Sequence, residues 1–178
     1  MNQKQIIKIQ IAIIFITVFS FVQIAQASPI TSQNIVDLTN KTRIQNGFNE
    51  LNISSELSKA AQDKAYDMVE KNYWSHQTIE GHPFWIFVDR KNYQWNHLGE
   101  NIAADFNTAE GAMNGWLNSP SHQKNILNSD YQDIGVGAYN NIVVAYYGNQ
   151  ENSVNYINKI TEIFSQWRVH LSLPFAYQ

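Results

Sequence analysis

The chain contains no cysteine. That single absence excludes a disulfide scaffold, a zinc ribbon or finger, an iron–sulfur site and any thiol nucleophile. Whatever holds the chain together must be the packing of its own side chains. A length of 178 residues suffices for a core that needs no crosslinks. With 44% hydrophobic and 13% aromatic residues, the chain is too apolar to be intrinsically disordered. Twelve basic residues against fifteen acidic ones give no broad electrostatic footprint for nucleic acid.

Residues 1–27 read as an export signal. Lys4 and Lys8 lie in a short polar region, an apolar run extends from Ile11 to Val22, and Ala25-Gln26-Ala27 places small residues at a cleavage site. The run is shorter than the ~20 residues a spanning helix needs, so a cleaved secretory signal is expected rather than a retained anchor. The mature chain is then 28–178. Losing Lys4 and Lys8 leaves ten basic and fifteen acidic residues, a net charge of −5, which further disfavours nucleic acid and anionic membrane as partners. No second stretch resembles a transmembrane helix.

The mature chain divides into 28–150, a single domain, and 151–178, a helical extension. Ile35, Leu38 and Thr42 mark one face of a first helix that Gly47 can stop. Leu57, Ala60, Ala61, Ala65 and Met68 repeat at helical spacing, with Ser54 or Ser55 as N-cap and an end near Lys71. Residues 73–98 read as irregular and hold seven aromatic rings, expected to pin the segment onto the domain. A third helix starts near Thr108, and Ser119-Pro120 starts a fourth. The runs 134–137 and 142–147 read as strands joined at Asn140-Asn141. Ile157, Ile160, Phe164 and Trp167 share one face of a C-terminal helix packed on the domain. Helices around a small antiparallel sheet make the class α+β.

Three residues carry the candidate chemistry. His76 follows the second helix, Glu100 lies in Gly99-Glu100-Asn101, and His122 sits in Ser119-Pro120-Ser121-His122. Two imidazoles and a carboxylate are ligand types a zinc-like ion prefers. Their separations, 24 and 22 residues, do not distinguish a metal site from hydrogen-bonded structural residues. His122 would occupy the third position of its helix, where the dipole disfavours protonation. A His-Glu-x-x-His zincin motif, a Gly-x-Ser-x-Gly elbow and a phosphate-binding glycine loop are all missing. Gly135-Val136-Gly137 inside a strand marks close packing or a bulge.

The order of these pieces resembles the CAP superfamily (cysteine-rich secretory proteins, antigen 5 and pathogenesis-related proteins), in particular its bacterial SCP-like extracellular branch. The resemblance rests on Leu38-Thr-Asn40-Lys-Thr-Arg43, Ser55-Glu-Leu57-Ser-Lys-Ala60-Ala61, Tyr73-Trp74-Ser75-His76, Gly81-His82-Pro83 and Gly99-Glu100-Asn101-Ile102-Ala103. It continues through Trp116-Leu-Asn-Ser119-Pro120-Ser121-His122, Asn125-Ile126-Leu127 and Ile134-Gly135-Val136-Gly137. It implies a three-layer α–β–α sandwich with a cleft lined by two histidines and two acidic residues, some relatives holding a divalent metal such as zinc there. Matched motif by motif, His76, Glu100 and His122 are the expected metal ligands. The second acidic position is Ser119 in this chain, which leaves at most three.

The resemblance implies an exported, extracellular or periplasmic protein, and three functions follow as expectations. The first is a non-enzymatic module binding an extracellular or envelope ligand (lipid, glycan or peptide). The second is a metal-assisted hydrolase in which Glu100 completes the metal shell or acts as general base. The third is a structural envelope component that makes contact through the aromatic segment 73–95.

Overall fold

The computed structural model describes residues 28–150 together with Thr161 and Glu162. The signal segment 1–27 and the stripe Ile157, Ile160, Phe164 and Trp167 lie outside the described residues. The order of elements is α1 (Ser32–Gln45), β1 (Asn52–Ile53), α2 (Ser55–Glu70), α3 (Ile86–Asp89), β2 (Trp95–Ala104), α4 (Ala109–Leu117), α5 (Pro120–Ile126), β3 (Asp133–Tyr139) and β4 (Ile142–Gln150). The strands form one sheet in the order β1-β3-β4-β2.

Its three long strands are antiparallel, with Glu100 opposite Tyr146 and Gly135 opposite the same residue on the other side. The two-residue β1 adds a parallel edge to β3, a detail too short to show in any periodicity. Side chains of β4 alternate between two cores. Val143, Ala145 and Tyr147 join Ile35, Val36, Ala112, Met113 and Trp116 on one face. Val144 and Tyr146 join Leu57, Ala61, Met68, Phe87 and Tyr93 on the other. Burial on both faces explains why 142–147 is a continuous apolar run rather than an alternating one. The result is the expected α–β–α sandwich.

Local signals set the helix ends. Thr31, Ser54 and Thr108 each accept a backbone N–H three residues on, satisfying donors that a helix start leaves free. Gly47 follows α1 at φ +81°. Ser119 stands at the N-cap of α5 with Pro120 at the first helical position, yet its side chain makes no capping bond.

The buried face of α1 is Ile35, Val36, Thr39 and Arg43, rotated from the expected Ile35–Leu38–Thr42 stripe. Arg43, 1% exposed, fixes that rotation by donating to the carbonyls of Asn49, Ile126 and Asn128. The side-chain amide of Asn40 pairs with both backbone groups of Leu51.

Segment 73–98 is less irregular than expected, since it contains α3 and the start of β2. Phe87 and Tyr93 pin it into the core, while Trp74 and Trp85 remain 52% and 40% exposed. The contact surface expected from this segment is therefore divided, with some rings spent on packing and others left outside.

Candidate functional site

His76 reaches the site because α2 carries a lysine where its apolar stripe requires a core residue. Lys64 lies seven positions beyond Leu57, four beyond Ala60 and three beyond Ala61, so it shares their inward face, and it is 0% exposed. Its ammonium donates to the carbonyls of Ser75 at 2.9 Å and His76 at 3.2 Å, and to the Tyr73 hydroxyl at 3.3 Å. It also faces the Tyr73 and Phe87 rings at 5.0 and 5.4 Å, within cation–π range. Burial lowers the Lys64 pKa, opposed by the negative charges of Glu100 and Asp67. This buried cation ties down the loop after α2 and so presents the His76 ring.

Glu100 comes from β2 and His122 from α5, two elements clamped together by amides. Asn125 donates to the Glu100 carbonyl at 3.0 Å and to the Asn101 side chain at 2.8 Å. Asn101 in turn donates to the His122 carbonyl at 3.1 Å. Trp116 closes the same strand edge by donating its indole N–H to the Ile102 carbonyl. These bonds satisfy outward backbone groups of an edge strand that would otherwise be left unpaired.

His76 Nδ1 and Glu100 Oε1 stand 2.5 Å apart, the imidazole half-exposed and the carboxylate side chain 1% exposed. Glu100 Oε2 is buried without a hydrogen-bond partner. The Tyr146 hydroxyl donates to the Phe84 carbonyl at 3.2 Å and also lies against the Glu100 carboxylate. Its pKa is raised well above the ordinary phenol, first by burial and then by the charge on Glu100. His76, Glu100 and His122 together line a cleft of about 400 Å³, with Phe84, Leu98, Ser121 and Lys124 around them. A roomier depression of about 610 Å³ lies beside Arg43 and Tyr131. What distinguishes the cleft is its chemistry, not its size.

The two histidines are driven in opposite directions. The hydrogen bond to Glu100 raises the His76 pKa, more than burial and Lys64 lower it. Burial, and then the charge of His76, lowers that of His122. The direction expected for His122 holds, with burial as the leading cause. A raised folded-state pKa means that His76 adds stability below its unfolded value and loses it as pH rises through the folded one. For His122 the fold loses stability as pH falls through the ordinary histidine range, because the unfolded chain takes that proton more readily. Solvent screening of the half-exposed His76 ring keeps its share small.

The donor types suit a divalent metal, but their arrangement does not form a three-ligand shell. Ligand atoms held about 2.0–2.2 Å from a tetrahedral ion must lie farther apart than the 2.5 Å between Nδ1 and Oε1. Among the described residues no group of three His, Asp or Glu side chains is placed to hold an ion. The contact between Glu100 and Nδ1 is the kind by which a carboxylate orients a histidine ring. Ser121 also lines the cleft, and its hydroxyl is engaged with that of Ser119 at 3.2 Å rather than with an imidazole.

Sequence reasoning found His76, Glu100 and His122 and missed Lys64, Asn101, Asn125 and Tyr146. The signal for Lys64 was present, as a charged residue on an apolar helical stripe. The amide clamp had no such mark.

A sequence model described as CAP: Cysteine-rich secretory protein family matches residues 36–147. The Uncharacterized protein YkwD of Bacillus subtilis (strain 168) is 41% identical over 106 residues, which are 59% of this chain and 41% of that protein. A solved extracellular protein containing a SCP domain, from Bacillus anthracis str. Ames, is 31% identical with a TM-score of 0.65, covering 67% of this chain and 40% of that one. An outer surface protein from Borrelia burgdorferi shares the fold at 23% identity and a TM-score of 0.62, covering 71% of this chain and 100% of that one. The chain spans about two fifths of the length of the first two of these relatives.

Proposed function

Because this chain belongs to the CAP (Cysteine-rich secretory protein) family, we propose that it is a non-enzymatic binding module acting outside the cytoplasm, with the His76–Glu100–His122 cleft as its ligand site. The observation that carries this reading is Glu100 Oε2, a carboxylate oxygen buried without a donor. An unsatisfied charged oxygen is costly to keep, and a ligand bringing an N–H or O–H to it recovers that cost. The Ser121 hydroxyl, turned to Ser119 and not to an imidazole, supports binding over catalysis, since a nucleophile needs an adjacent base.

Two further features support work outside the cytoplasm. The segment before Ser28 has the three-part pattern of a signal, and the Bacillus anthracis relative is described as extracellular. Among the described residues no helix is long and apolar enough to cross a membrane.

The test is a screen of the mature chain 28–178 and its Glu100→Gln variant against lipid vesicles, a glycan array, a peptide library and divalent metals. Turnover on ester and peptide substrates is measured alongside. Wild type should retain a ligand that the variant binds at least about tenfold more weakly, the loss expected for a hydrogen bond to a charged group. Neither protein should turn over substrate. Absence of binding in every class, or turnover that disappears in His122→Ala, would overturn the proposal.

A further inference from the structure

The cleft opens beside a sheet edge that no described residue completes at Leu98. β2 and β4 are in continuous register from His97 to Ala104, and side chains from outside the sheet reach the Glu100 and Ile102 carbonyls. The backbone groups of Leu98, Glu100 and Ile102 therefore point away from β4, as alternation along a strand requires. Side chains from α5 and α4 take up the carbonyls at two of these three positions. Asn125 occupies the Glu100 carbonyl and Trp116 the Ile102 carbonyl. No described residue closes the outward amide and carbonyl of Leu98, and Leu98 lines the cleft with His76 and Glu100.

Resting on the proposed ligand site, we infer that its ligand is the end of an extended peptide, which adds as a strand to β2 at Leu98 and terminates in the cleft. An exposed strand edge recognises a peptide through main-chain hydrogen bonds. Leu98 gives both of its outward backbone groups to such a peptide, to one residue if the strands run antiparallel and to the two residues flanking its partner if they run parallel. The chain cannot continue along β2, because Asn125 and α5 fill the next outward position at Glu100. An internal segment would have to turn sharply there, whereas a chain end fits. The cleft offers a partner to either terminus, with the carboxylate of Glu100 on its floor and the exposed ammonium of Lys124 at its rim. An amide and a carbonyl presented together on a strand edge match the main chain of an extended peptide.

The test immobilises the intact mature chain and exposes it to a random hexapeptide mixture with free termini. Parallel mixtures are N-acetylated, C-amidated or blocked at both ends, with capture read by mass spectrometry. Captured sequences are resynthesised with each amide N-methylated in turn, so that the strand pairing is tested on the ligand and the protein stays unaltered. Doubly blocked peptides should bind at least tenfold more weakly than free ones. One N-methyl group within two residues of the sensitive end should cost at least tenfold, while its neighbours cost little, the period of two that marks strand pairing. Loss on acetylation alone assigns antiparallel addition and loss on amidation alone assigns parallel addition, and both support the inference. Equal binding of free and doubly blocked peptides, or a flat N-methyl profile, would overturn it. Capture of vesicles or glycans without hexapeptides would overturn it and leave the ligand site standing. Capture of nothing in any class would remove the site as well.

Discussion

Gly135→Ala should be the most damaging single-methyl change in the domain. A Cβ at this position would lie 2.2 Å from the Leu57 carbonyl carbon and the Ser58 nitrogen, and 2.4 Å from Leu57 Cβ. Two of those atoms belong to the backbone of α2, so no rotamer change can relieve the overlap. The helix must lift off β3, and the lift disturbs every contact that Leu57, Ala60, Ala61 and Ala65 make with the sheet. Overpacking of this kind costs about 3 kcal/mol or more, a fall of roughly 6–12 °C in Tm for a chain of this size. Gly137→Ala should behave alike, since its Cβ would lie 2.2 Å from the Gln62 nitrogen. Gly81→Ala is the control. Nothing lies within 4 Å of that Cβ and only the φ of +83° opposes it, at about 1–2 kcal/mol. Thermal denaturation of the three variants checks the ranking, and equal losses would contradict it.

The second large effect is expected from Lys64→Met. Methionine keeps the apolar stem and removes the ammonium, leaving the Ser75 and His76 carbonyls without their donor. It also removes a positive charge that acts on Glu100. Hydrogen bonds to a charged group contribute about 1.5–3 kcal/mol each, and these are part-buried, so Tm should fall by several degrees. A purely structural role would end there. A positioning role also disturbs His76, and the amides of residues 75–77 should exchange with solvent at least tenfold faster while those of β3 and β4 hardly change. Uniform acceleration across the domain would identify Lys64 as a general core residue rather than an anchor for the His76 loop.

Much of this architecture was legible because it follows from short-range rules. The helix starts at Ser54 or Ser55 and near Thr108, the stop at Gly47 and the strand pair across Asn140-Asn141 each depend on a few neighbouring residues. Gly135-Val136-Gly137 could be read only as close packing or a bulge, and the approach of α2 decides for packing. The rotation of α1 was not legible, because it depends on Arg43 finding three carbonyls, two of them more than 80 residues away. For the site, motif order brought His76, Glu100 and His122 together, while the bonding pattern among them came only from the fold. Glu100 meets Nδ1 of His76 directly, and nothing in a spacing of 24 residues distinguishes that pair from two ligands of one ion. Lys64 stood in plain view as a charge on an apolar stripe. The absent cysteines are matched by these buried polar anchors, which tie loops to helices without a crosslink.

The central claim is that His76, Glu100 and His122, remote in sequence, form one electrically coupled cleft. The most direct measurement is the titration of the histidine Cε1 protons by NMR in the mature chain and in Glu100→Gln. His76 should titrate above the ordinary value of about 6.5 and His122 below it, and the Glu100→Gln change should bring the His76 midpoint down. Both rings titrating near the ordinary value, with no response to Glu100→Gln, would contradict the account.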